Sequence, residues 1–290
     1  MGDLRPQLWW SQGSLRSRTA AAIDFHPLPG ACISGAMRLP SFSLARQTAV
    51  VTGASRGIGQ AIALGLAQAG ARVIAAGRDE PALADTIAKI EEAGGVGEAR
   101  ILEVTDLAAI DGFFAALGRL DILVNNAGIE NVRPSLEMDE ALWDRILDTN
   151  LKGAFFCARA AARLMQANGP ETGGSILNLC SLTSEVGVPT AVPYGASKSG
   201  ILGMTRALAA EWAPLGIRVN GIGPGYFRTS LTEVFYRDEA WQLAMLDKIP
   251  LRRFGRMEDL MGAAVFLCSP AAAYVTGQVL YVDGGYLASI

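Results

Sequence analysis

From residue 47 onward, short apolar runs alternate with helical segments, and this alternation restricts the fold more than any other feature of the chain. The runs are almost continuously apolar, as is typical of strands in a parallel sheet that is covered on both faces. They occupy residues 48–52, 72–76, 99–104, 121–125, 175–179, 217–222 and 278–282. Helical periodicity is found at residues 58–69, 81–93, 107–117, 140–165, 194–212 and 258–268. The pattern predicts an α/β fold: one doubly wound domain with a seven-stranded parallel sheet and helices on both faces.

Residues 1–43 do not share this pattern. They are rich in Ser, Arg, Pro and Gly and have no sustained helical or strand periodicity. We expect an N-terminal extension that is poorly ordered or lies upstream of the true start, with Met37 as a candidate initiator. The domain is expected to occupy residues 44–290.

The few histidines and cysteines exclude several kinds of catalytic site. The only histidine, His26, lies in the extension, so a Ser-His-Asp or Cys-His triad has no well-placed base. Cys32, Cys157, Cys180 and Cys268 form no C-x-x-C pair, and a histidine-based zinc site lacks ligands. We therefore expect no metal. The few, widely spaced thiols indicate a reducing compartment, and we predict a cytoplasmic protein.

Charge and hydropathy exclude two classes of partner. The chain has 25 basic and 28 acidic residues, a net charge of −3, and no long basic run, so nothing indicates nucleic-acid binding. Residues 260–282 carry no charge, but Ser269, Pro270 and the run Thr276-Gly277-Gln278 interrupt them. This segment is better explained by a buried helix, a turn and a buried strand than by a membrane span.

A glycine-rich turn joins the first predicted strand to the first predicted helix. It reads Thr52-Gly53-Ala54-Ser55-Arg56-Gly57-Ile58-Gly59. Gly53 and Gly57 would permit a tight turn and close approach of the backbone to a pyrophosphate, and Gly59 would let the helix pack on the strand. The helix N-terminus then presents free N–H groups to the anion. The turn predicts a dinucleotide site.

The end of the second strand indicates which dinucleotide is bound. Folds that prefer NAD place an acid there to accept hydrogen bonds from the ribose hydroxyls. This strand ends in Ala75-Ala76-Gly77-Arg78 instead. Arg78, together with Arg56 in the turn, would bind a 2′-phosphate through charge-assisted hydrogen bonds. NADP is therefore predicted over NAD, although both arginines can also be explained as solvated surface residues.

Several ordered motifs in residues 44–288 resemble the classical short-chain dehydrogenase/reductase family. They are the glycine turn, Asn125-Asn126-Ala127-Gly128, Asn150, Ser181, Tyr194-Gly195-Ala196-Ser197-Lys198 and Pro224-Gly225. The resemblance implies a Rossmann-type fold and a catalytic set of Asn150, Ser181, Tyr194 and Lys198. It also implies that Asn150 holds a water that relays protons to the lysine.

The chemistry of these side chains agrees with the implied roles. Tyr194 and Lys198 are four residues apart on one helix face. A nearby ammonium is expected to lower the phenol pKa from its ordinary value of about 10. Tyr194 would then exchange a proton with the substrate oxygen, to which Ser181 also donates. The hydride would pass directly between the nicotinamide and the substrate carbon.

The resemblance further implies which residues contact the cofactor. Asn125 and Gly128 would line the adenosine ribose pocket, and Thr229 would meet the nicotinamide half. Glu103-Val104 stands where the family more often has Asp-Val contacting the adenine amine. The full predicted set is Gly53, Ser55, Arg56, Gly57, Ile58, Gly59, Arg78, Glu103, Val104, Asn125, Ala127, Gly128, Tyr194, Lys198, Pro224, Gly225, Phe227 and Thr229.

The motifs are most similar to those of the gluconate 5-dehydrogenase branch, which implies a small-molecule substrate, a sugar acid or polyol. The alternative is a 3-oxoacyl-acyl-carrier-protein reductase, but Pro214-Leu215 occupies the place where those reductases carry a basic residue to dock the carrier. A third interpretation is a non-catalytic NADP-binding sensor or scaffold. It is disfavoured because all four catalytic positions are retained. The segment 226–248 contains Phe235, Tyr236 and Trp241. These aromatic residues would either cover the substrate or only pack against one another and hold the segment closed.

The resemblance also implies a homotetramer in which the two long helices pair across one interface. Residues 151–162 and 200–210 are small and apolar enough for such packing, although burial within one chain explains them equally well.

Overall fold

The computed structural model describes residues 38–229, 232–233 and 235–290. Seven strands form one parallel sheet in the spatial order β3-β2-β1-β4-β5-β6-β7. The strands are β1 Thr48–Thr52, β2 Arg72–Gly77, β3 Val96–Ile101, β4 Ile122–Asn125, β5 Gly174–Leu179, β6 Ile217–Pro224 and β7 Val279–Val282. The predicted fold class, a doubly wound Rossmann-type sheet, is confirmed.

Helices cover both faces of the sheet. They are α1 Gly57–Gln68, α2 Glu80–Glu92, α3 Leu107–Ala115, α4 Glu140–Leu147, α5 Gly153–Gln166, α6 Val192–Trp212, α7 Glu239–Lys248 and α8 Met257–Cys268. Helices α1, α2 and α8 enclose one apolar core with residues from the sheet. Helices α3, α5 and α6 enclose a second core on the opposite face. Because both faces are buried, the central strands need side chains that are apolar in both directions.

Aspartates begin four of the helices. Asp79, Asp106, Asp139 and Asp238 precede α2, α3, α4 and α7, and each carboxylate accepts a hydrogen bond from a backbone N–H of the first turn. Such capping satisfies donors that a helix cannot pair internally. Helix α1 is different: it follows Arg56, and no described side chain caps it.

Three predicted elements differ from the structure. The third strand lies at Val96–Ile101 rather than 99–104, the helix predicted over 140–165 is divided by a π-helical turn at Asp148–Lys152, and α7 was not predicted. The predicted extension, including Met37, His26 and Cys32, lies outside the described residues apart from positions 38–43. Those six positions are exposed, whereas Leu44 is buried and its N–H donates to the carbonyl of Ala69.

Candidate active site

A cleft of about 500 Å³ opens at the carboxyl edge of the sheet. The strand order reverses between β1 and β4, and ligands of open α/β sheets bind at such switch points. The loops that follow β1, β2, β4, β5 and β6 supply lining residues. The cleft brings together most of the predicted set: Gly53, Ser55, Arg56, Gly57, Ile58, Gly59, Arg78, Glu103, Val104, Ala127, Gly128, Ser181, Tyr194, Lys198, Pro224, Gly225, Phe227 and Thr229.

The cleft has two parts of different composition, which we name here. The glycine-turn half consists of the lining residues within 53–59, 77–79, 102–104 and 126–128. The aromatic half consists of Glu130, Thr183, Val188, Tyr226, Tyr236 and Trp241. Ser181, Tyr194 and Lys198 line the same cleft.

The backbone of the glycine turn requires glycine. Gly53 has a φ of +65° and Gly57 a φ of +56°, a region that other residues rarely adopt. A Cβ on Gly53 would also lie 2.8 Å from the Cα of Ala127. The turn therefore passes close to the loop after β4, and the uncapped N-terminus of α1 opens beside it. Free N–H groups in this position fit the pyrophosphate of a dinucleotide.

Arg56 and Arg78 are exposed at the cleft, and each forms an ion pair with an acid. Arg56 Nη2 lies 2.7 Å from Asp79 Oδ2, and Arg78 Nη1 lies 3.2 Å from Glu103 Oε2. Exposed pairs of this kind contribute only about 0–1 kcal/mol, so a phosphate can replace the carboxylates as partner. The two guanidinium groups fit a 2′-phosphate on this basis.

Glu103 holds a second hydrogen bond besides the pair with Arg78. Its Oε1 accepts from the backbone N–H of Thr105 at 3.1 Å. Burial raises the pKa of Glu103, but the bonds from Thr105 and Arg78 outweigh it and keep the pKa below its ordinary value. The carboxylate is therefore fixed at the wall where the adenine contact was predicted.

One residue predicted to contact the cofactor, Asn125, does not line the cleft. Asn125 is buried, and its Nδ2 donates to Ala154 O and to Asn178 Oδ1, so it braces the core and is not among the lining residues. Asn126 lines the cleft instead, and its Nδ2 donates to the carbonyls of Thr52 and Gly53. Adjacent positions at a strand end point to opposite sides, so a shift of one residue changes which asparagine faces the cleft.

Asn150 lies in the π-helical turn between α4 and α5, fully buried behind the cleft wall. Its Oδ1 accepts from the N–H of Ile129 at 2.8 Å, and its Nδ2 donates to the carbonyl of Ile129 at 2.9 Å and to Ser197 Oγ at 3.2 Å. Asn150 thereby ties the loop after β4 to helix α6. π-turns are rare and often occur at functional sites.

Ser181 follows β5, and its side chain faces Tyr194 on α6. Its Oγ accepts from the N–H of Thr183 at 3.2 Å, and its hydroxyl lies beside the Tyr194 phenol. Burial of the phenol and the nearby Glu130 carboxylate raise the pKa of Tyr194, and the Ser181 hydroxyl only partly opposes them. The expectation of a lowered phenol pKa is wrong, because burial of the phenol dominates. The phenol is therefore held in its protonated form.

Lys198 is buried next to Tyr194. Its Nζ donates to the carbonyl of Leu179 at 2.6 Å and lies 5.6 Å from the centroid of the Tyr194 ring. Burial lowers the pKa of Lys198 to about 8, with the Cys180 thiol and the Glu130 carboxylate opposing the shift. The ammonium is thus destabilised enough to exchange a proton near neutral pH.

The aromatic half contains a cluster of rings from residues 226–254. The rings of Tyr226 and Trp241 are 5.6 Å apart, those of Tyr236 and Trp241 5.3 Å, and those of Tyr236 and Phe254 4.8 Å. Edge-to-face pairs at such distances are favourable. Tyr226, Tyr236 and Trp241 also line the cleft. The same rings therefore stabilise the segment 226–248 by packing against one another and form one wall of the cleft. Glu130, which belongs to none of the sequence motifs, lines the cleft as well.

Two further findings concern metals and membranes. In the described ranges, no group of three or more His, Cys, Asp or Glu side chains is arranged to hold a metal ion. None of the described helices combines the length and apolar character needed to cross a bilayer.

Comparison with known proteins identifies similar chains over most of the length. A family model described as enoyl-(acyl carrier protein) reductase matches residues 53–287. The chain is 44% identical over 260 residues to 2-dehydro-3-deoxy-D-gluconate 5-dehydrogenase of Escherichia coli, covering 87% of this chain and 100% of the relative. It is 43% identical over 252 residues to the L-tagatose-forming galactitol 2-dehydrogenase of Cereibacter sphaeroides, covering 84% and 96%.

Two solved structures share the fold at high sequence identity. A chain from Sinorhizobium meliloti, described as a short-chain alcohol dehydrogenase, is 61% identical with a TM-score of 0.83, covering 87% of this chain and 100% of that one. A chain from Agrobacterium tumefaciens, described as a 2-deoxy-D-gluconate 3-dehydrogenase with bound NADP, is 47% identical with a TM-score of 0.80, covering 85% and 98%.

Proposed function

This chain belongs to the short-chain dehydrogenase/reductase family, and we propose that it uses NADP(H) to interconvert a secondary alcohol and a ketone on a sugar acid or polyol. It is an oxidoreductase that acts on CH–OH groups. The observation that carries the proposal is that Ser181, Tyr194 and Lys198 line one cleft with the glycine turn.

In the direction of reduction, Tyr194 donates its phenolic proton to the carbonyl oxygen. The raised phenol pKa suits this role, because the proton is still present when substrate binds. Ser181 donates a hydrogen bond to the same oxygen and stabilises the negative charge that develops there. Bound NADPH would supply the hydride to the carbonyl carbon.

Lys198 and Asn150 support the proton transfer from behind the cleft wall. The Lys198 ammonium stabilises the phenolate that remains after Tyr194 has given up its proton. Asn150 holds the loop after β4 against α6 through Ile129 and Ser197, and so fixes the wall next to Tyr194. A water held by Asn150 would return a proton to Lys198, as the family resemblance implies.

The choice of NADP over NAD is supported by two features of the glycine-turn half. Arg56 and Arg78 line it as exposed guanidinium groups in weak ion pairs, and a similar chain was crystallised with NADP. The uncapped N-terminus of α1 and the left-handed glycines fit the pyrophosphate.

The experiment is a substrate panel followed by the absorbance of the reduced nicotinamide. The panel contains gluconate and 5-ketogluconate, hexitols and ketoses, acetoacetyl thioesters and simple ketones. We expect NADP(H)-dependent turnover of sugar acids or polyols and none of the thioesters. Turnover of thioesters alone would favour the acyl-carrier reductase, and tight NADPH binding without any turnover would favour a sensor.

We further propose that the protein acts in the cytoplasm as a homotetramer, with a functional domain that begins near residue 44. Free buried thiols at Cys157, Cys180 and Cys268 support a reducing compartment. Exposed apolar side chains on α4 and α5, Trp143 and Phe155, support burial against a second copy.

A further inference from the structure

The charges of the aromatic half differ from what a sugar acid requires. Among the described residues that line this half, Glu130 is the only charged side chain, and Lys198 is the cation that lines the cleft beside it. Arg228 lies behind the wall: its guanidinium carbon is 6.0 Å from the centroid of the Tyr236 ring, and it pairs with Glu233. Arg133 pairs with Asp139, and neither arginine lines the cleft.

Glu130 is partly buried and close to the catalytic groups. Glu130 is the residue directly after Ile129, whose N–H and carbonyl are both hydrogen-bonded to the Asn150 side chain. The charge of Glu130 acts on both Tyr194 and Lys198. Burial raises the pKa of Glu130, and the Lys198 ammonium opposes that shift. A substrate bound against Tyr194 therefore lies within the field of this carboxylate.

Two buried hydroxyl groups in the aromatic half lack a hydrogen-bond partner. Tyr236 is 5% exposed, and its hydroxyl has no partner among the described residues; the same holds for Thr183 Oγ1. Burial raises the pKa of Tyr236 to about 12, so its hydroxyl remains a donor as well as an acceptor. Buried polar atoms are nearly always paired. Both residues line the cleft, so a ligand bound there would supply the missing partner once these side chains turn toward it.

We propose that the substrate is an uncharged polyol or the matching ketose, and that Glu130 selects it over a sugar acid. This inference rests on the proposed function and narrows it. The hydroxyls of the chain donate to Glu130 and bond with Tyr236 and Thr183, while their carbon backbone lies against the rings of Tyr226 and Trp241.

A carboxylate is rejected for two reasons. It would approach Glu130 as a like charge, which is repulsive at close range. It would also lack a cation of its own, because Lys198 already donates to Leu179 O and is the only basic group that lines the cleft near Tyr194 among the described residues. An uncharged polyol is not repelled by Glu130 and does not need a cation as partner.

The test compares the full-length protein with Glu130→Gln, which removes the charge and preserves the shape of the side chain. Glu137→Gln is the matched control, since Glu137 lies in the same segment, is exposed and does not line the cleft. For each protein, kcat/KM is measured with NADP and a panel of hexitols, with gluconate as the acid, and the ratio of the best hexitol to gluconate is calculated.

We expect the wild-type ratio to exceed about 10, and Glu130→Gln to lower it at least about tenfold through a gain on gluconate. Glu137→Gln should leave it unchanged. A wild-type preference for gluconate, or an unchanged ratio in Glu130→Gln, would overturn the inference and leave the proposed function standing. No turnover of hexitols, gluconate or simple secondary alcohols would refute the proposed function, and the inference with it.

Tyr236→Phe tests the hydroxyl contact separately. Removing the hydroxyl alone should raise KM for the best hexitol about 2- to 10-fold, with kcat retained. The same variant should not change kcat/KM for cyclohexanol, which has no second hydroxyl. Equal losses for both alcohols would mean that Tyr236 acts only in packing, and would remove this contact from the proposal.

Discussion

The two halves of the cleft are held in place by different parts of the chain. In the glycine-turn half, backbone geometry determines the shape: Gly53 passes within contact distance of Ala127, and Asn126 ties that loop to the carbonyls of Thr52 and Gly53. In the aromatic half, ring contacts between Tyr226, Trp241 and their neighbours determine it. The backbone of the first half leaves little room for other residues, whereas the side chains of the second can change while the sheet stays the same.

Tyr194→Phe should separate the two halves most clearly. Loss of the phenolic proton should lower kcat about 10²- to 10⁴-fold, because general acid catalysis is removed. The affinity for NADPH, measured by fluorescence titration, should not change, since the glycine-turn half is intact. Substantial residual turnover would exclude Tyr194 as the proton donor.

Gly53→Ala should damage the glycine-turn half at its backbone. A left-handed φ costs an L-residue about 1–2 kcal/mol, and the added Cβ would also press on Ala127. Gly94→Ala is the control, because Gly94 has a φ of +78° but no atom within 4 Å of the new Cβ. NADPH affinity should fall about tenfold or more in Gly53→Ala alone. Equal losses in both variants would mean that backbone strain, rather than the close approach, matters.

Arg78→Asp changes one side chain in the same half and should alter the choice of cofactor. An acid in place of the guanidinium should lower the NADPH-to-NADH ratio of kcat/KM about 10- to 100-fold, the effect of a lost charged hydrogen bond. Arg72→Asp is the control, since Arg72 pairs with Glu98 outside the cleft. A preference that Arg78→Asp leaves as it was would show that the exposed Arg78 does not meet the phosphate.

Trp241→Ala should produce the smallest effect, and only in the aromatic half. Loss of one ring from the wall should raise KM for the substrate about tenfold through the lost apolar contact. NADPH affinity should be unchanged. If affinity for NADPH fell as far as KM rose, the two halves would not be independent.

The sequence predicted the glycine-turn half better than the aromatic half, for a physical reason. Gly53 and Gly57 serve local backbone geometry, so their spacing along the chain carries the information. Glu130, Thr183 and Tyr236 meet only because three loops converge at the sheet edge. No periodicity within one loop encodes that convergence.

The misplaced elements have equally specific causes. Strand β3 is at the edge of the sheet and has the sequence Val-Gly-Glu-Ala-Arg-Ile, which lacks the apolar run of a central strand. The pattern therefore favours the more apolar residues that follow it. Helix α7 contains several apolar residues, but they are distributed around the helix rather than along one face, so its sequence shows no amphipathic periodicity. The raised pKa of Tyr194 depends on the burial of its phenol, which the spacing to Lys198 does not reveal.

The π-helical turn at Asp148–Lys152 has a consequence for how this site tolerates changes in chain length. Such a turn contains one residue more than an α-helical turn, so deleting a single residue would allow α4 and α5 to join into one regular helix. The shortened helix would keep its backbone hydrogen bonds, but every side chain on one side of the deletion would rotate by about 100°. Asn150 would then lose its hydrogen bonds to Ile129. The extra residue in the turn therefore keeps Asn150 facing the loop after β4, and a deletion that made the helix regular would remove that contact.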